Sequence, residues 1–352
     1  MAILTQTADE FRQWLTQKTA EARIPVGMTI ELVARCNFRC THCYMGSLRD
    51  NPRQMPYDMI CRILSEAASL GCVSVGFTGG EPLLRNDYAQ IHEFAHRQGF
   101  WISLLTNGFL LTDQLIQQFR CMPPRAVEIS LYGGDESHYR EITGVHGAFE
   151  KVTQNIDKLL HAGIHVSLKS VLLSPVLASI DAMNTFAEAR GLEIVYDPAV
   201  TPDVLRNTAP TEFRMSPRCA VNIEMASEKS RDASRKKLQF AHSPNPSMPV
   251  CGAGHRGFHV DFLGNMQQCV SLRTPSVSLA DHTLAQAWDK LGTFPPPIFP
   301  PDALCSTCEL QPWCSYCPGT AACGDPFPTQ KEDFYCQVAR ARAAAGEKKE
   351  KV

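Results

Sequence analysis

From residue 28 onward, short apolar runs rich in Val, Ile and Leu alternate with longer stretches whose apolar positions recur at helical spacing. The segments MTIELVA (28–34), VSVGFT (73–78), WISLLT (101–106), AVEISLY (126–132), IHVSLKSVLL (164–173) and LEIVYD (192–197) predict strands. Between them, residues 57–70 carry Met59, Ile63, Leu64 and Ala67 on one face, and 86–98, 112–119, 148–162 and 176–190 follow as further helices. Strands buried on both faces and separated by helices imply parallel βα units. Eight such units close a barrel. Six predict an α/β fold of narrower span, a partial (β/α)6 TIM-like barrel with its chemistry on the loops at the C-terminal strand ends.

The flanks read differently. Residues 1–24 predict a short amphipathic helix, with Phe11, Leu15 and Ala22 near the face that packs on the main domain. Residues 198–217 hold Pro198, Pro202, Pro210 and Pro217 and read as irregular. Residues 224–240 read as helix, with Lys229, Arg231, Arg235, Lys236 and Lys237 forming a solvated face or a docking patch for an acidic partner. SPNPSMP (243–249) is a linker, and FPPPIFPP (294–301) a second stiff connector. The expected layout is an N-terminal helix (1–24), the barrel (25–242), a small irregular cysteine-rich cap (250–340) and a disordered tail (341–352).

Charge narrows the partners. A net charge of −2 gives no global field for nucleic acid or for a membrane surface. The N-terminus lacks a basic region followed by an apolar run, and no apolar stretch approaches a membrane span. A cytoplasmic protein in a reducing compartment is expected, and there fifteen cysteines point to metal ligation rather than disulfides.

Three of them stand in Cys36-Asn-Phe-Arg-Cys40-Thr-His-Cys43-Tyr44, in the loop after the first strand. Thiolates are the soft ligands of iron–sulfur clusters, and three of them leave one iron of a cubane free. A chance cluster or half of a zinc site is the plainer alternative. The second strand runs into Gly79-Gly80-Glu81-Pro82. Glycine lets the backbone approach a ligand closely, and in a parallel sheet the two loops are neighbours.

Together these stretches resemble the radical S-adenosylmethionine (radical SAM) superfamily. The resemblance implies a [4Fe-4S] cluster on Cys36, Cys40 and Cys43, whose open iron takes the methionine amino and carboxylate groups of SAM. It implies that Gly79, Gly80 and Glu81 hold the amino group, that His42 lies beside the adenine and that Ser130, at the end of the fourth strand, meets the ribose. Thr106-Asn107-Gly108 also fits, with Asn107 on the cofactor side, although an Asn-Gly turn accounts for it equally. The arginine often found in the next loop is replaced by Thr143, with Arg140 three residues earlier.

Further on, Cys251, Gly264 and Cys269 precede Cys305-x2-Cys308-x5-Cys314-x2-Cys317 and Cys336. This resembles the SPASM domain, which holds auxiliary iron–sulfur clusters. The resemblance puts an outer cluster on Cys305, Cys308, Cys314 and Cys336 and an inner one on Cys251, Cys269 and Cys317. The inner cluster's fourth ligand is Cys323, Cys219 or none. Paired CxxC motifs also suit zinc, but a ribbon usually separates its pairs by about 15–20 residues. Gly252-Ala-Gly254-His-Arg-Gly257 matches a dinucleotide fingerprint, yet FHVDF after it reads as strand where that motif opens a helix. Cys61, Cys72 and Cys121 are expected to be buried and inert.

What the resemblance implies is reductive cleavage of SAM to methionine and a 5′-deoxyadenosyl radical, which abstracts hydrogen from a peptide or protein, notably a ribosomally made precursor peptide. Auxiliary clusters would carry electrons. An electron donor (a reductase, flavodoxin or ferredoxin) is implied as partner, with neither nucleic acid nor membrane. The short N-terminal segment is not a peptide-recognition domain, so a separate recognition protein or the cap itself would bind the leader. Anaerobic sulfatase maturation is disfavoured by Val270, where that family has an aspartate, while a small-molecule, tetrapyrrole-type enzyme stays open, as does a zinc-bearing scaffold. Asp197, ending the sixth strand, is either a substrate-side acid or base or a turn cap.

Overall fold

The structure, a computed structural model, describes residues 7–228, 231, 251–295, 297–330 and 332–347. All six expected strands are present: β1 (Gly27–Val33), β2 (Ser74–Gly79), β3 (Trp101–Thr106), β4 (Ala126–Ser130), β5 (Val166–Val171) and β6 (Ile194–Asp197). They pair in parallel in chain order, with helices between. The pleat sends alternate residues to opposite faces. In β1, Met28, Ile30 and Leu32 are buried in the main core together with Ile60, Ile63 and Leu64 of α2 (Tyr57–Ser69), which leaves Thr29 and Glu31 on the other face.

The sheet does not stop at β1. β7 (Gly257–Val260) lies parallel to β1, and β8 (Asn265–Gln267) and β9 (Val277–Ser278) continue antiparallel. The order is β6-β5-β4-β3-β2-β1-β7-β8-β9, an open partial barrel. The expected cap therefore gives its first strands to the barrel's own sheet. The cause is the alternation in FHV: Phe258 and Val260 join the core, and His259 faces inward beside Thr29. The expected linker at 243–249 lies outside the described residues.

Several helices differ from expectation. In α1 (Ala8–Glu21) the buried side holds Thr19 and Ala20, while Phe11 and Leu15 are 50% and 43% exposed. The sequence pattern gave no sign of α5 (Glu136–Thr143), a two-turn helix capped by Asp135 and ended by Gly144 in the left-handed region. α8 (Pro217–Glu224) begins within the expected irregular stretch, because proline suits a first helical turn. Of the basic run, Lys229, Arg235, Lys236 and Lys237 lie outside the described residues, and Arg231 donates to the carbonyls of Met225 and Ala226. Cys121 is exposed rather than buried.

The remaining helices are α3 (Tyr88–Arg97), α4 (Asp113–Cys121), α6 (Ala148–His161), α7 (Ile180–Glu188), α9 (Leu284–Leu291), α10 (Pro318–Ala322) and α11 (Phe334–Glu347). α11 corrects the expected tail: an alanine-rich run keeps 341–347 helical, and Arg342 docks it on α8 through both oxygens of Glu224 (2.8 and 2.9 Å). Both side chains are buried. No described helix is long and apolar enough to cross a membrane.

Candidate active site

The cysteine loop rises from the C-terminal end of β1 and is held by backbone bonds to two other segments. The Arg39 and Thr41 amides donate to the carbonyls of Thr143 and Ile142 at the end of α5 (2.8 and 3.1 Å). The Cys36 amide donates to Arg49 O, and the Arg49 guanidinium returns a bond to Cys40 O (3.3 and 3.2 Å). The fold thus uses α5, which the sequence pattern did not reveal, as one wall of the loop.

The three thiols are gathered. Burial pushes Cys36 up to about 11 and Cys40 well above the ordinary thiol range, and the neighbouring thiols raise both further. The Phe38 amide donates to Cys36 Sγ at 3.3 Å. Ionising Cys36 and Cys40 there is costly, whereas a cationic metal group draws off the protons and compensates the charge. Among the described residues no three His, Cys, Asp or Glu side chains converge closely enough to hold a single metal ion. The donor set fits an iron–sulfur cluster held by Cys36, Cys40 and Cys43.

The Gly79–Pro82 loop abuts this one. The Gly80 and Glu81 amides donate to Val33 O and Arg35 O, both at 2.9 Å. Gly79 has φ +130°, and a Cβ there would stand 2.1 Å from Val33 O; one on Gly80 would stand 2.2 Å from both Ala34 O and Arg35 O. Only glycine permits that approach. The close packing is of loop against loop, and it fixes the backbone around the cysteines.

The Glu81 side chain is fully buried and its oxygens are already engaged. Oε1 accepts from Thr106 Oγ1 (2.7 Å) and the Leu83 amide (3.0 Å), and Oε2 accepts from the Asn107 amide (2.8 Å). Burial raises it to about 7 against those three donors. Its carboxylate therefore ties the ends of β2 and β3 together. Asn107 in turn donates to Asn37 Oδ1 at 2.8 Å and reaches within 3.9 Å of Cys36 Sγ, which answers the Asn-Gly ambiguity: it is a turn residue and also a neighbour of the cysteine loop.

His42 stacks edge-to-face on Tyr132 (centroids 4.7 Å apart). Burial lowers it to about 4, so the ring is neutral. Its Nδ1 is buried without a partner, a polar atom left for a bound group to satisfy. Burial also pushes the Tyr132 hydroxyl up, with Cys40, Cys43 and Cys36 adding to it, so Tyr132 faces the cysteines beside Ser130. Ser130 itself ends β4 opposite Lys169 of β5. Tyr132 and Tyr44 are site residues that sequence reasoning passed over, although both lay within the quoted motifs. The Tyr44 hydroxyl donates to Gly79 O at 3.3 Å.

Below the loop lies a buried ion cluster. Arg273 grips Glu31 through both oxygens (2.5 and 3.1 Å), His259 Nε2 stands 3.4 Å from the same carboxylate, and Thr29 Oγ1 meets His259 Nδ1 at 2.7 Å. Burial pushes Glu31 up, but His259 and Arg273 outweigh it and hold the carboxyl below its usual range. Arg273 thereby joins the segment after Cys269 to the strand that carries the first cysteine loop.

Several of the C-terminal cysteines lie near one another. Cys305 is pushed up to about 11 by burial and by Cys314, Cys336 and Cys308. Cys269 is pushed up to about 11 by burial against amide donors from Leu272 and Ser271, with Cys317 and Cys251 adding to the rise. Thr143 and Asp197 each make a local bond. The Thr143 hydroxyl donates to Tyr139 O (2.7 Å), and Asp197 caps its own turn through the Ala199 amide (2.9 Å). Gly252 and Gly254 occupy the left-handed region before a strand, so no dinucleotide motif forms.

Residues 30–178 match the model of the radical SAM superfamily. Among curated proteins, the chain is 30% identical over 166 residues to an AdoMet-dependent heme synthase of Methanosarcina barkeri, covering 47% of each. It is 34% identical over 180 residues to a probable GTP 3′,8-cyclase of Methanosarcina acetivorans, covering 48% of this chain and 52% of that one. The chain spans about half the length of the curated relatives it matches. Among solved structures, native anSMEcpe with bound AdoMet superposes with a TM-score of 0.68 at 16% identity, covering 92% of this chain and 96% of that one. Streptococcus suis SuiB bound to precursor peptide SuiA gives 0.61 at 14% identity, covering 84% and 74%.

Proposed function

From a chain that belongs to the radical SAM superfamily over residues 30–178 and carries a cysteine-rich C-terminal region, we propose an enzyme that reductively cleaves SAM and abstracts hydrogen from a peptide or protein, maturing a ribosomally synthesised precursor. The observation that carries it is the seating of the Gly79–Pro82 loop on the cysteine loop, with Gly80 and Glu81 amides bonded to Val33 and Arg35. When bound, a [4Fe-4S] cluster at Cys36, Cys40 and Cys43 supplies the electron that converts SAM to methionine and a 5′-deoxyadenosyl radical. The chain's own residues do the positioning. Gly79 and Gly80 shape the backbone wall, Glu81 locks β2 to β3, and neutral His42 on Tyr132 offers an apolar face with one free nitrogen for the adenine. Ser130 is proposed at the ribose.

The peptide reading draws support from the fold. β6 ends the sheet on one side and pairs only with β5 among the described residues, so an extended chain can add there. SuiB with SuiA and anSMEcpe with Cp18Cys peptide share this architecture and hold peptides. Cys305, Cys308, Cys314 and Cys336, with Cys251, Cys269 and Cys317, are proposed to hold two auxiliary clusters. A cytoplasmic location and a reductase, flavodoxin or ferredoxin donor follow from the need for free thiols and single electrons. The names of the curated relatives, heme synthase and GTP cyclase, favour a second reading, in which the substrate is a small molecule.

The test is iron, labile sulfide and SAM cleavage after anaerobic reconstitution. About twelve irons per chain, about four fewer in the Cys36/Cys40/Cys43→Ala variant, and methionine with 5′-deoxyadenosine only in the parent support the reading. Zinc without iron rejects it. Deuterium passing from a labelled precursor peptide into 5′-deoxyadenosine selects the peptide substrate over the small molecule.

A further inference from the structure

The inner auxiliary site is one cysteine short in sequence order, and the fold supplies it from another direction. We propose that Cys323 is the fourth thiolate of that site, beside Cys251, Cys269 and Cys317. The assignment rests on the radical SAM reading and says what kind of site it is: closed, with no iron free for a substrate atom.

α10 runs between the two cysteines, with Cys317 at its N-cap and Cys323 at its C-cap. Two of the sulfurs meet at Gly319. A Cβ there would lie 3.4 Å from Cys317 Sγ, 3.5 Å from Cys269 Sγ and 3.2 Å from the Ser271 Cβ. Those two sulfurs and Ser271 thus meet at one point, and a side chain on Gly319 would fill the space between them. Cys323 reaches the same residue, its Sγ 3.7 Å from Ser271 O. It is 2% exposed, and its thiol makes that weak bond to a carbonyl.

Cys251, Cys269 and Cys323 all lie within electrostatic reach of Cys317. Amide donors already point at the sulfurs: Leu272 and Ser271 at Cys269, and Ala253 at Cys251. Such N–H···S bonds stabilise a ligating thiolate and tune a cluster's potential. Cys219, the rival candidate, sits on α8 and packs against the barrel core instead. Its neighbourhood is apolar, like that of a structural thiol.

Four thiolates on one cubane leave no coordination position for substrate. A site closed by Cys323 therefore serves electron transfer, and substrate binding falls to the polar face of the barrel. A site left open would serve the opposite purpose, so the fourth ligand decides the role.

The experiment uses the full chain with Cys36, Cys40 and Cys43 replaced by Ala, so that only auxiliary sites load. Reconstituted anaerobically with iron and sulfide, this parent is expected to hold about eight irons. Adding Cys323→Ala is expected to lower that by one to four irons and to give the EPR signal of a three-iron cluster, whereas adding Cys219→Ala changes neither. Cys323→Ser is expected to keep the iron and shift one midpoint potential. Without any substitution at 323, Cys323 is expected to resist alkylation in the loaded chain and to react once the iron is chelated and the chain unfolded. Unchanged iron, EPR and potential in both 323 variants, together with alkylation of Cys323 in the loaded folded chain, overturn the assignment. A parent that takes up zinc and no iron overturns the radical reading instead, and the two failures are thereby distinct.

Discussion

The Glu81 carboxylate accepts the Asn107 backbone N–H at 2.8 Å, and the Asn107 side chain passes the connection to Asn37, one residue beyond Cys36. One buried relay thus joins the ends of β1, β2 and β3. Glu81→Ala leaves the Thr106 hydroxyl and the Leu83 and Asn107 amides without their acceptor. Each orphaned buried donor costs about 1–3 kcal/mol. A loss of about 3 kcal/mol in urea unfolding is expected, together with impaired iron loading at the first cysteine set; Glu81→Gln should lose less. An alanine variant with wild-type stability and iron would show that the relay holds nothing.

Gly80→Ala tests loop-on-loop packing separately. The added Cβ lies 2.2 Å from two backbone oxygens, which a flexible side chain's movement cannot relieve. The loop must lift from β1, breaking the Gly80–Val33 and Glu81–Arg35 bonds. Iron content is expected to fall by about four per chain while the auxiliary complement stays. Full first-site loading in this variant would contradict the geometry. As a control, Gly163→Ala meets nothing within 4 Å and should leave loading intact, its strain at φ +74° showing only in stability.

The barrel was legible because its strands are Val-, Ile- and Leu-rich runs separated by helices, as in IHVSLKSVLL, although burial alternates along them rather than covering both faces. The cysteine spacings were legible for the same reason that they work: ligand geometry demands fixed short gaps. α5 was hidden, since ESHYREIT carries only Tyr139 and Ile142 as apolar anchors. Arg273 and Glu31 lie 242 residues apart and meet only through β7's place beside β1, which local pattern does not reveal. In α1 the pattern misled: Phe11 stacks on Trp14 at the surface (5.9 Å), and small residues face inward. Glu81 stood out in its motif, but its bonds to Thr106 and Asn107 did not, because those residues come from the end of β3 and the turn after it.

His42 makes stability depend on pH. Buried neutral, it has a folded pKa of about 4, below the ordinary value of 6.5. The unfolded chain therefore takes up the proton first. The stabilisation is whole above pH 6.5 and is lost as pH falls from there through 4, by about 3 kcal/mol from this group alone. In the cluster-free chain, the unfolding midpoint should decline over that window, and His42→Phe should flatten the decline. Equal pH profiles for the two proteins would place the proton elsewhere.

Arg342 and Glu224 set how the C-terminal cysteines are presented. The pair is bidentate and buried, and Arg342 also donates to Trp313 O (3.0 Å) and to Ser315, on either side of Cys314. α11 itself carries Cys336. Removing one partner strands a buried charge, typically at about 3–5 kcal/mol. Arg342→Met should therefore destabilise strongly, free α11 to proteolysis and cost the outer cysteine set about four irons, while SAM cleavage at the first set persists. Replacing both, as Glu224→Leu with Arg342→Met, removes the stranded carboxylate and should recover much of the stability. Iron at the outer set should recover only as far as Cys314 no longer needs the guanidinium beside it. Recovered stability without recovered iron would mean that Arg342 positions Cys314 directly; joint recovery would mean that it acts by docking the helix.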